Sequence, residues 1–367
     1  AYQWGLHGQS GFLVDKKVVS ENYTCIEYDI NESRKFLQDD FDNTYGRIIS
    51  DDTYIKELDN LSISYEEAEN LYNTVKRKKD IVIAIIDSGV DIYHPELLDS
   101  IWTNKYEIPG NGVDDDGNGY IDDVHGYNFY DNTASVYTDI NDDIHGTHSA
   151  GIIVGKHDNG GIRGIAYNEH IKIMPIKILG ANGSGKVSNF IKAVEYAEKN
   201  GASICNVSLG AFTYRKELDD IIRKSNMLFV VAAGNGENYH GYNIDENSVF
   251  PASFSHDNVL TVGNLCFDGT LYSSSNYGNS VSVAAPGTMI LSTIPEGKYG
   301  FITGTSMAAP FVTAVCAMTM SISDKINAHN IKSIIECSVD RLDSLYGKVK
   351  TSGVINAYKA MQLATLY

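Results

Sequence analysis

The sequence has little of what stabilises small disulfide-rich domains or crosses membranes. Its 367 residues include only five cysteines and two tryptophans, and the cysteines are widely separated with no CxxC pair. This spacing argues against a disulfide framework and a zinc site. No uninterrupted apolar run reaches the roughly 18 residues that a membrane-spanning helix needs. We therefore expect no membrane span, and we expect buried thiols at Cys205 and Cys316, which lie inside apolar runs.

Positive charge is also scarce, since the formal net charge is −18. A strongly acidic surface argues against nucleic acid or an anionic membrane as a partner, and it permits calcium or cationic peptides. Ten of the acidic residues fall between Glu107 and Asp143, where there is no Lys or Arg. Such a block is a solvated loop unless its spacing fits a metal ion.

Several apolar runs read as buried parallel strands: 81–86, 171–179, 202–209, 227–233 and 258–265. Amphipathic helical patterns at 188–201 and 216–225 alternate with them. This alternation predicts an α/β domain with a mainly parallel sheet. Ligands bind such sheets beyond the C-terminal ends of the strands, where Asp87, Ser208 to Gly210 and Asn235 are found.

The N-terminal part of the chain differs in composition. From about Gln9 to Leu61 it is polar, rich in Tyr, Asp and Asn, and weakly periodic. We expect residues 1–61 to form an appended segment of unknown role and residues 62–367 to form the main α/β domain. The chain begins with AYQWGLHG. These residues do not show whether a signal peptide or propeptide once preceded them.

Three local patterns carry candidate chemistry: IIDSGVDIYHPEL (85–97), DDIHGTHSAG (142–151) and GTSMAAP (304–310). Taken singly, a strand-end Asp caps a turn, a His is structural and a Ser caps a helix. Taken together, Asp87, His145 and Ser306 fit a nucleophilic triad. A Ser hydroxyl needs an imidazole to accept its proton, and that imidazole needs a carboxylate to hold its tautomer.

These motifs and their order closely resemble those of the bacterial-type subtilisin-like serine peptidases, the subtilase family (peptidase S8). The resemblance runs from about Ser62 to the C-terminus and implies a three-layer α/β fold. It assigns Asp87 as the orienting carboxylate, His145 as general base and then acid, and Ser306 as nucleophile. It also assigns the side chain of Asn235, in AAGNG (232–236), and the backbone N–H of Ser306 as oxyanion donors. His148 is expected to be structural.

Ser306 and Pro310 stand at the head of an apolar segment. We expect a core helix that begins at Ser306, because the free N–H groups of a helix N-terminus favour negative charge. Pro310 is expected in the first turn, where no intrahelical N–H partner is lost.

The resemblance also implies a groove that holds an extended peptide as an added strand. Its expected lining comprises Ser208, Leu209, Gly210, Gly183, Gly185, Ala233, Gly234, Pro251 and Ala252. The segment 236–249 is longer than usual in the family and contains His240. We hypothesise that His240 favours an acidic residue before the scissile bond.

The acidic stretch NGVDDDGNGYIDD (111–123) places oxygen ligands at alternate positions around glycines, like the front half of an EF-hand loop without its final Glu. We expect structural calcium on Asp114, Asp116, Asn118, the Tyr120 carbonyl, and Asp122 or Asp123. A second calcium site is expected near 156–162, with Glu96 and Asp158 as ligands.

The expected function is that of a serine endopeptidase acting on an extended peptide or protein, with its own propeptide as a potential inhibitor. A processing enzyme that trims precursors or leaders and a broad degradative enzyme both stay open. Two further alternatives stay open: an esterase or peptide ligase with the same triad, and a binding protein on an inactive scaffold. Calcium loops favour a secreted or cell-surface location, although a cytoplasmic one stays open.

Overall fold

The computed structural model describes Gln3, Leu6, residues 61–157, 160–237 and 240–367. A nine-stranded sheet forms the centre of these residues. Its strands are β1 (Ile81–Asp87), β2 (Tyr127–Asn128), β3 (Ile171–Lys177), β4 (Ile204–Val207), β5 (Leu228–Ala232), β6 (Val259–Leu265), β7 (Val283–Pro286), β10 (Asp340–Arg341) and β11 (Gly353–Val354). They lie side by side in the order β10-β11-β7-β6-β5-β4-β1-β3-β2, and within this sheet only the β10–β11 pair is antiparallel. The five strands expected from the sequence are all present; β1 is one residue longer than predicted and the other four are slightly shorter.

Helices cover both faces of the sheet. They are α1 (Tyr65–Thr74), α2 (Ile140–Val154), α3 (Val187–Lys199), α4 (Lys216–Lys224), α5 (Thr305–Ser321), α6 (Ile331–Cys337) and α7 (Ala357–Ala364). From β1 the chain passes through α2 to β3, which lies on one side of β1. It then returns in the opposite direction along the sheet, through α3 to β4 and through α4 to β5. Right-handed crossovers therefore place α2 and α3 on opposite faces. This arrangement gives the three layers expected from the sequence.

An antiparallel hairpin of β8 (Ile290–Ile294) and β9 (Lys298–Ile302) packs against α2. The sequence patterns did not reveal this hairpin. In α5 every residue except Ser306 is buried, as expected for a helix that runs through the core. Cys205 and Cys316 are also buried, and burial raises the pKa of both thiols. Both thiols are therefore protonated at neutral pH and are not nucleophiles.

The first residues of the chain contact the same core. Leu6 is 2% exposed within it, and the Gln3 side-chain amide both donates to the Arg163 carbonyl and accepts from the Arg163 N–H. Apart from Gln3, Leu6 and Leu61, the 1–61 segment lies outside the described residues, so the predicted boundary at residue 61 stays a prediction. In the part of the chain that the structure describes, no helix is long and apolar enough to span a bilayer.

Candidate active site

Three neighbouring strands, β5, β4 and β1, bring their C-terminal ends together at one edge of the sheet. Asp87 is the last residue of β1 and is 1% exposed. Its carboxylate oxygens lie 2.8 and 2.9 Å from Nδ1 of His145, in α2. The backbone N–H of Ser88 donates to the same carboxylate at 2.6 Å. Asp87 is thus fixed as the acceptor that sets the orientation of the His145 ring.

The close approach of α2 to β1 depends on Gly146. A Cβ on Gly146 would lie 2.0 Å from the Gly89 carbonyl oxygen and 3.3 Å from Cβ of Asp87. Only a residue without a side chain lets the helix sit this near the strand end. The N–H of Gly146 donates to the Ser88 hydroxyl at 3.2 Å and closes the contact. The glycine after His145 therefore makes the 2.8 Å pair possible.

Two opposing effects act on the protonation of His145. Burial, the largest, lowers the pKa of the imidazole, whereas the charge of Asp87 and its hydrogen bond raise it. The net result is a pKa above the ordinary value of 6.5. A protonated His145 would thus be stabilised by Asp87, which is the property that a general base needs.

Ser306 is the second residue of α5 and the partly exposed one in that buried helix. Pro310 lies in the second turn rather than the first, so our expectation for its position was wrong. A residue four positions after Ser306 would normally donate its N–H to the Ser306 carbonyl, and Pro310 has none. The Ser208 hydroxyl lies 3.4 Å from that carbonyl and donates to it instead. This hydrogen bond links the turn that carries Ser306 to the residue after β4.

Asn235 follows β5 and is held by α5. The N–H and the hydroxyl of Thr305 donate to Asn235 Oδ1 at 3.1 and 3.3 Å, which leaves the amide Nδ2 facing Gly304. Asn235 Nδ2 and the Ser306 backbone N lie 3.4 and 3.8 Å from the point where a Cβ on Gly304 would be. Two nitrogens that carry N–H groups therefore lie close to the same point beside Gly304, as a pair of oxyanion donors would.

His148, one turn after His145, faces the hairpin rather than the site. It is fully buried, and its Nε2 lies 3.0 Å from the Ile290 carbonyl and 3.1 Å from the Gly300 carbonyl. Burial lowers its pKa to about 3, so the ring is neutral and donates to these carbonyls. This agrees with the structural role expected for it.

Sequence reasoning missed Lys177, the last residue of β3. Its side chain is fully buried, and its ammonium lies 2.7 Å from Asp143 and 2.9 Å from Asp142 in the first turn of α2. The same ammonium donates to the Ser88 carbonyl. A Lys ending an apolar strand was the available signal. Lys177 joins the turn after Asp87 to the helix that carries His145.

The predicted groove residues fall into two groups. Gly183, Gly185, Ser208, Leu209 and Gly210 line a cavity of about 310 Å³, together with the apolar side chains of Ile178, Leu179, Val187, Phe190, Leu218 and Phe250. Ala233 and Gly234 follow β5, and Pro251 and Ala252 are buried behind them. Phe250 exchanges two backbone hydrogen bonds, each 2.8 Å, with Ala211, which ties the two groups together. His240 is exposed, outside the cavity lining.

The structure brings together part of the predicted calcium ligand set. Carboxylate oxygens of Asp114 and Asp116 lie within 4.8 Å of one another and of Glu107, which sequence reasoning did not propose. Oε2 of Glu107 is buried and has no hydrogen-bond partner in the described residues. An unpaired buried carboxylate oxygen beside two further carboxylates fits a hard divalent cation such as calcium.

The other residues proposed for this site face different partners. Asn118 bridges Asp116 and Asp123 through its amide, and its Oδ1 accepts from the Tyr120 N–H. Asp122 accepts from the N–H groups of Asn111 and Gly112. Asp123 is fully buried and accepts from Tyr196 in α3 at 2.6 Å. The geometry thus favours Glu107 over Asp122 or Asp123 as a direct ligand.

Glu96 of the second proposed calcium site is 1% exposed. Its Oε1 accepts from the Tyr299 hydroxyl, and its Oε2 has no partner in the described residues. Asp158 lies outside the described residues. Glu96 therefore places one hydrogen-bonded and one unpaired carboxylate oxygen beside the loop that begins at Lys156, whose N–H donates to the Glu96 backbone carbonyl.

Strand ends, helix termini and hydrogen bonds together give an α/β protein in which the Asp87–His145 pair lies at the sheet edge where Asn235 also lies. A model described as the subtilase family matches residues 78–352. The chain belongs to this family of subtilisin-like serine peptidases.

Curated relatives and a solved structure agree with this assignment. The chain is 34% identical over 283 residues to "Thermophilic serine proteinase" of Bacillus sp. (strain AK1), covering 76% of this chain and 61% of that protein. It is 35% identical over 251 residues to "Major intracellular serine protease" of Bacillus subtilis (strain 168), covering 67% and 70%. A crystal structure of a cold adapted subtilisin-like serine proteinase matches with a TM-score of 0.60 and 26% identity, covering 76% of this chain and 89% of the other. The chain thus spans about three fifths of the Bacillus AK1 proteinase.

Proposed function

We propose that this chain is a serine endopeptidase in which Asp87, His145 and Ser306 form the triad and Asn235 stabilises the oxyanion. The observation that carries the proposal is the Asp87–His145 hydrogen bond at the sheet edge where Asn235 Nδ2 and the Ser306 backbone N both lie close to Gly304. Membership of the subtilase family supports it.

The chemistry follows from these positions. His145 removes the Ser306 hydroxyl proton as the oxygen attacks the substrate carbonyl carbon, and Asp87 stabilises the resulting imidazolium. The carbonyl oxygen becomes negative and accepts hydrogen bonds from Asn235 Nδ2 and the Ser306 N–H. Collapse breaks the C–N bond, and His145 gives its proton to the leaving amine. Water then attacks the acyl-enzyme by the same steps in reverse and releases the acid.

The substrate is proposed to be an extended peptide lying between segments 183–187 and 208–211. The cavity of about 310 Å³ between these segments has predominantly apolar walls and would take a large apolar side chain. A cavity of this kind selects among sequences, which favours processing of defined precursors over broad degradation. The chain's own propeptide would occupy the same groove as an inhibitor.

Calcium is proposed as a structural ion bound by Glu107, Asp114 and Asp116, with Glu96 at a second site. A bound ion would neutralise their mutual repulsion and stabilise the fold by mass action, without entering the reaction. A secreted or cell-surface location is proposed because such loops are saturated by the millimolar calcium found outside cells.

A peptide-mixture digest tests the proposed activity. The wild type and Ser306→Ala would be incubated with a diverse peptide mixture, with calcium and with chelator, and the cuts mapped by mass spectrometry. Cuts made only by the wild type support the endopeptidase. A small ester assayed in parallel distinguishes an esterase from a peptidase, because an esterase would cleave the ester and no peptide. If neither protein cleaves any substrate and a phosphonate does not label Ser306, the proposal fails and the chain is a binding protein on an inactive peptidase scaffold.

A further inference from the structure

We infer that Lys177 is a positioning residue of the proposed triad, because its buried ammonium fixes the Ser88 peptide that joins Asp87 to the helix carrying His145. This inference rests on the proposed function. The ammonium is bonded to the Ser88 carbonyl and to two carboxylates of α2, so it acts on the triad through these groups. It therefore affects the geometry of proton transfer without taking part in the transfer.

Ser88 connects the two members of the Asp87–His145 pair. Its N–H donates to the Asp87 carboxylate at 2.6 Å, and its hydroxyl accepts from the N–H of Gly146 at 3.2 Å. Its carbonyl accepts from the Lys177 ammonium. Ser88 is 5% exposed, so bulk water does not reach these groups. One buried residue thus sets how closely the end of β1 approaches α2.

The ammonium of Lys177 has as many acceptors as it has donors. An ammonium carries three N–H groups, and the oxygens around this one are the Ser88 carbonyl, Asp143 Oδ1 at 2.7 Å and Asp142 Oδ2 at 2.9 Å. The Lys177 side chain is fully buried. Because each donor has its own acceptor, the ammonium holds the Ser88 carbonyl at a fixed place relative to the first turn of α2.

The carboxylate of Asp143 also has partners other than Lys177. Its Oδ2 accepts from the N–H groups of Thr138 and Asp139, the latter at 3.1 Å. A Cβ on Gly89 would lie 2.2 Å from Asp143 Oδ1, so only a glycine lets the turn approach this closely. An Asn at position 143 keeps an oxygen acceptor for the two N–H groups. The charge of Asp143 can therefore be removed separately from the contact between Lys177 and Ser88.

The backbone of β3 is anchored to β1 independently of the Lys177 side chain. Lys177 is paired in register with Asp87, and the N–H of Ile178 donates to the Asp87 carbonyl at 2.9 Å. Loss of the ammonium would thus free the Ser88 peptide while the strand pairing stays in place. Since a misplacement of about 1 Å costs roughly 10²-fold in rate, kcat should fall with little change in KM.

The test separates the contact with Ser88 from the charge balance of the ion pair. The variants are Lys177→Met, Asp143→Asn, Lys177→Met/Asp143→Asn and Ser88→Ala, with Lys216→Met, at an exposed ion pair, as the control. Urea unfolding establishes conditions under which each variant is folded, and kcat and KM are measured there on one peptide that the wild type cleaves. Labelling of wild-type Ser306 with a phosphonate tests the proposed peptidase independently.

We expect Lys177→Met and the double variant each to lose roughly tenfold or more in kcat with KM nearly unchanged, although the double variant regains stability. Asp143→Asn keeps the contact between Lys177 and Ser88 and should lose less than about threefold. Ser88→Ala removes the acceptor of the Gly146 N–H, so kcat should fall by roughly three- to tenfold, the equivalent of one neutral hydrogen bond. Lys216→Met should match the wild type.

A double variant with the kcat of the wild type would show that Lys177 only balances the charge of Asp143, and it overturns the inference. So does an equal loss of kcat in Asp143→Asn and Lys177→Met, or a loss expressed only in KM. If both Lys177 variants fail to fold, Ser88→Ala decides: the expected fall supports the inference, and a wild-type kcat overturns it. A wild type that neither cleaves peptides nor is labelled at Ser306 instead overturns the proposed peptidase function, and the inference falls with it.

Discussion

The ammonium of Lys177 lies 2.7 Å from the carboxylate of Asp143, and neither side chain has any exposed surface. Lys177 ends β3 and is paired in register with Asp87 on β1, while Asp143 lies two residues before His145 on α2. The ion pair therefore spans the two elements that carry the Asp87–His145 pair. Burial without a partner costs a charged group several kcal/mol, so both members depend on each other.

Removing one member of this pair should destabilise the protein strongly. Lys177→Met leaves Asp143 buried without its counter-ion, and the expected loss is about 3–5 kcal/mol of unfolding free energy. In Lys177→Met/Asp143→Asn the fully buried charge of Asp143 is gone and only the partly exposed Asp142 lacks its counter-ion, so part of the lost stability should be restored. Urea unfolding measures both. Lys216→Met, at the exposed Lys216–Asp220 pair, is the control and should change little. A double variant no more stable than Lys177→Met would contradict this account.

The Asp87–His145 pair predicts a pH effect on the rate. As the proposed general base, His145 must be neutral to accept a proton from Ser306, and its pKa is raised overall. Activity should therefore fall as the pH drops through that raised value. Asp87→Asn removes the charge that raises the pKa and leaves burial, which lowers it. The acid limb of kcat/KM should therefore move to lower pH, while the plateau falls by about 10⁴. Profiles between about pH 5 and 9 measure this, and an acid limb that stays in place would count against Asp87 as the orienting residue.

Asn235 should contribute to the transition state more than to substrate binding. Asn235→Ala removes one of the two proposed oxyanion donors, and kcat should fall by roughly 10²–10³ with KM nearly unchanged. Ser306→Ala should abolish turnover. Steady-state kinetics on one good peptide separate the two parameters. A rise in KM with kcat intact would instead place Asn235 among the groups that merely bind substrate.

His148 should make the fold sensitive to acid. Its folded pKa of about 3 lies below the ordinary 6.5, so the stability that the neutral ring contributes to the fold is fully present above pH 6.5. Unfolded chains take up this proton as the pH falls from 6.5 toward 3, so stability drops by at most about 1.4 kcal/mol per pH unit for one such group. Denaturant unfolding at several pH values should show a shallower loss in His148→Gln, whose amide can still donate to the Ile290 carbonyl. His329→Gln, at an exposed histidine, should keep the wild-type slope.

The calcium proposal predicts a shift in thermal stability. Chelator should lower Tm, and Asp116→Asn and Glu107→Gln should reduce the calcium-dependent rise in Tm because each removes a ligand charge. Asp131→Asn, an acidic residue outside the carboxylate cluster, is the control. Differential scanning calorimetry across a calcium titration gives the measurement. Identical Tm values with calcium and with chelator would argue that these carboxylates form an ordinary acidic loop.

Much of this protein was determined by local sequence. The apolar runs fixed the five predicted strands, because a buried parallel strand needs a continuous apolar segment of about its own length. The placement of Asp87, Ser208 and Asn235 at one edge followed from the same rule, since parallel strands share a C-terminal edge. The short β7 and the β8–β9 hairpin escaped notice because their segments are brief and lack a clear alternation.

Only the tertiary structure decided which distant residues meet. The sheet order β4-β1-β3 places Lys177 beside the turn after Asp87, and a Lys ending a strand carries no such information by itself. Glu107 joins Asp114 and Asp116 because the acidic loop folds back on itself, which residue spacing does not show. The contacts of Ser88 join three segments separated along the chain. Local propensity specifies each element, whereas contacts between elements depend on how the whole core packs.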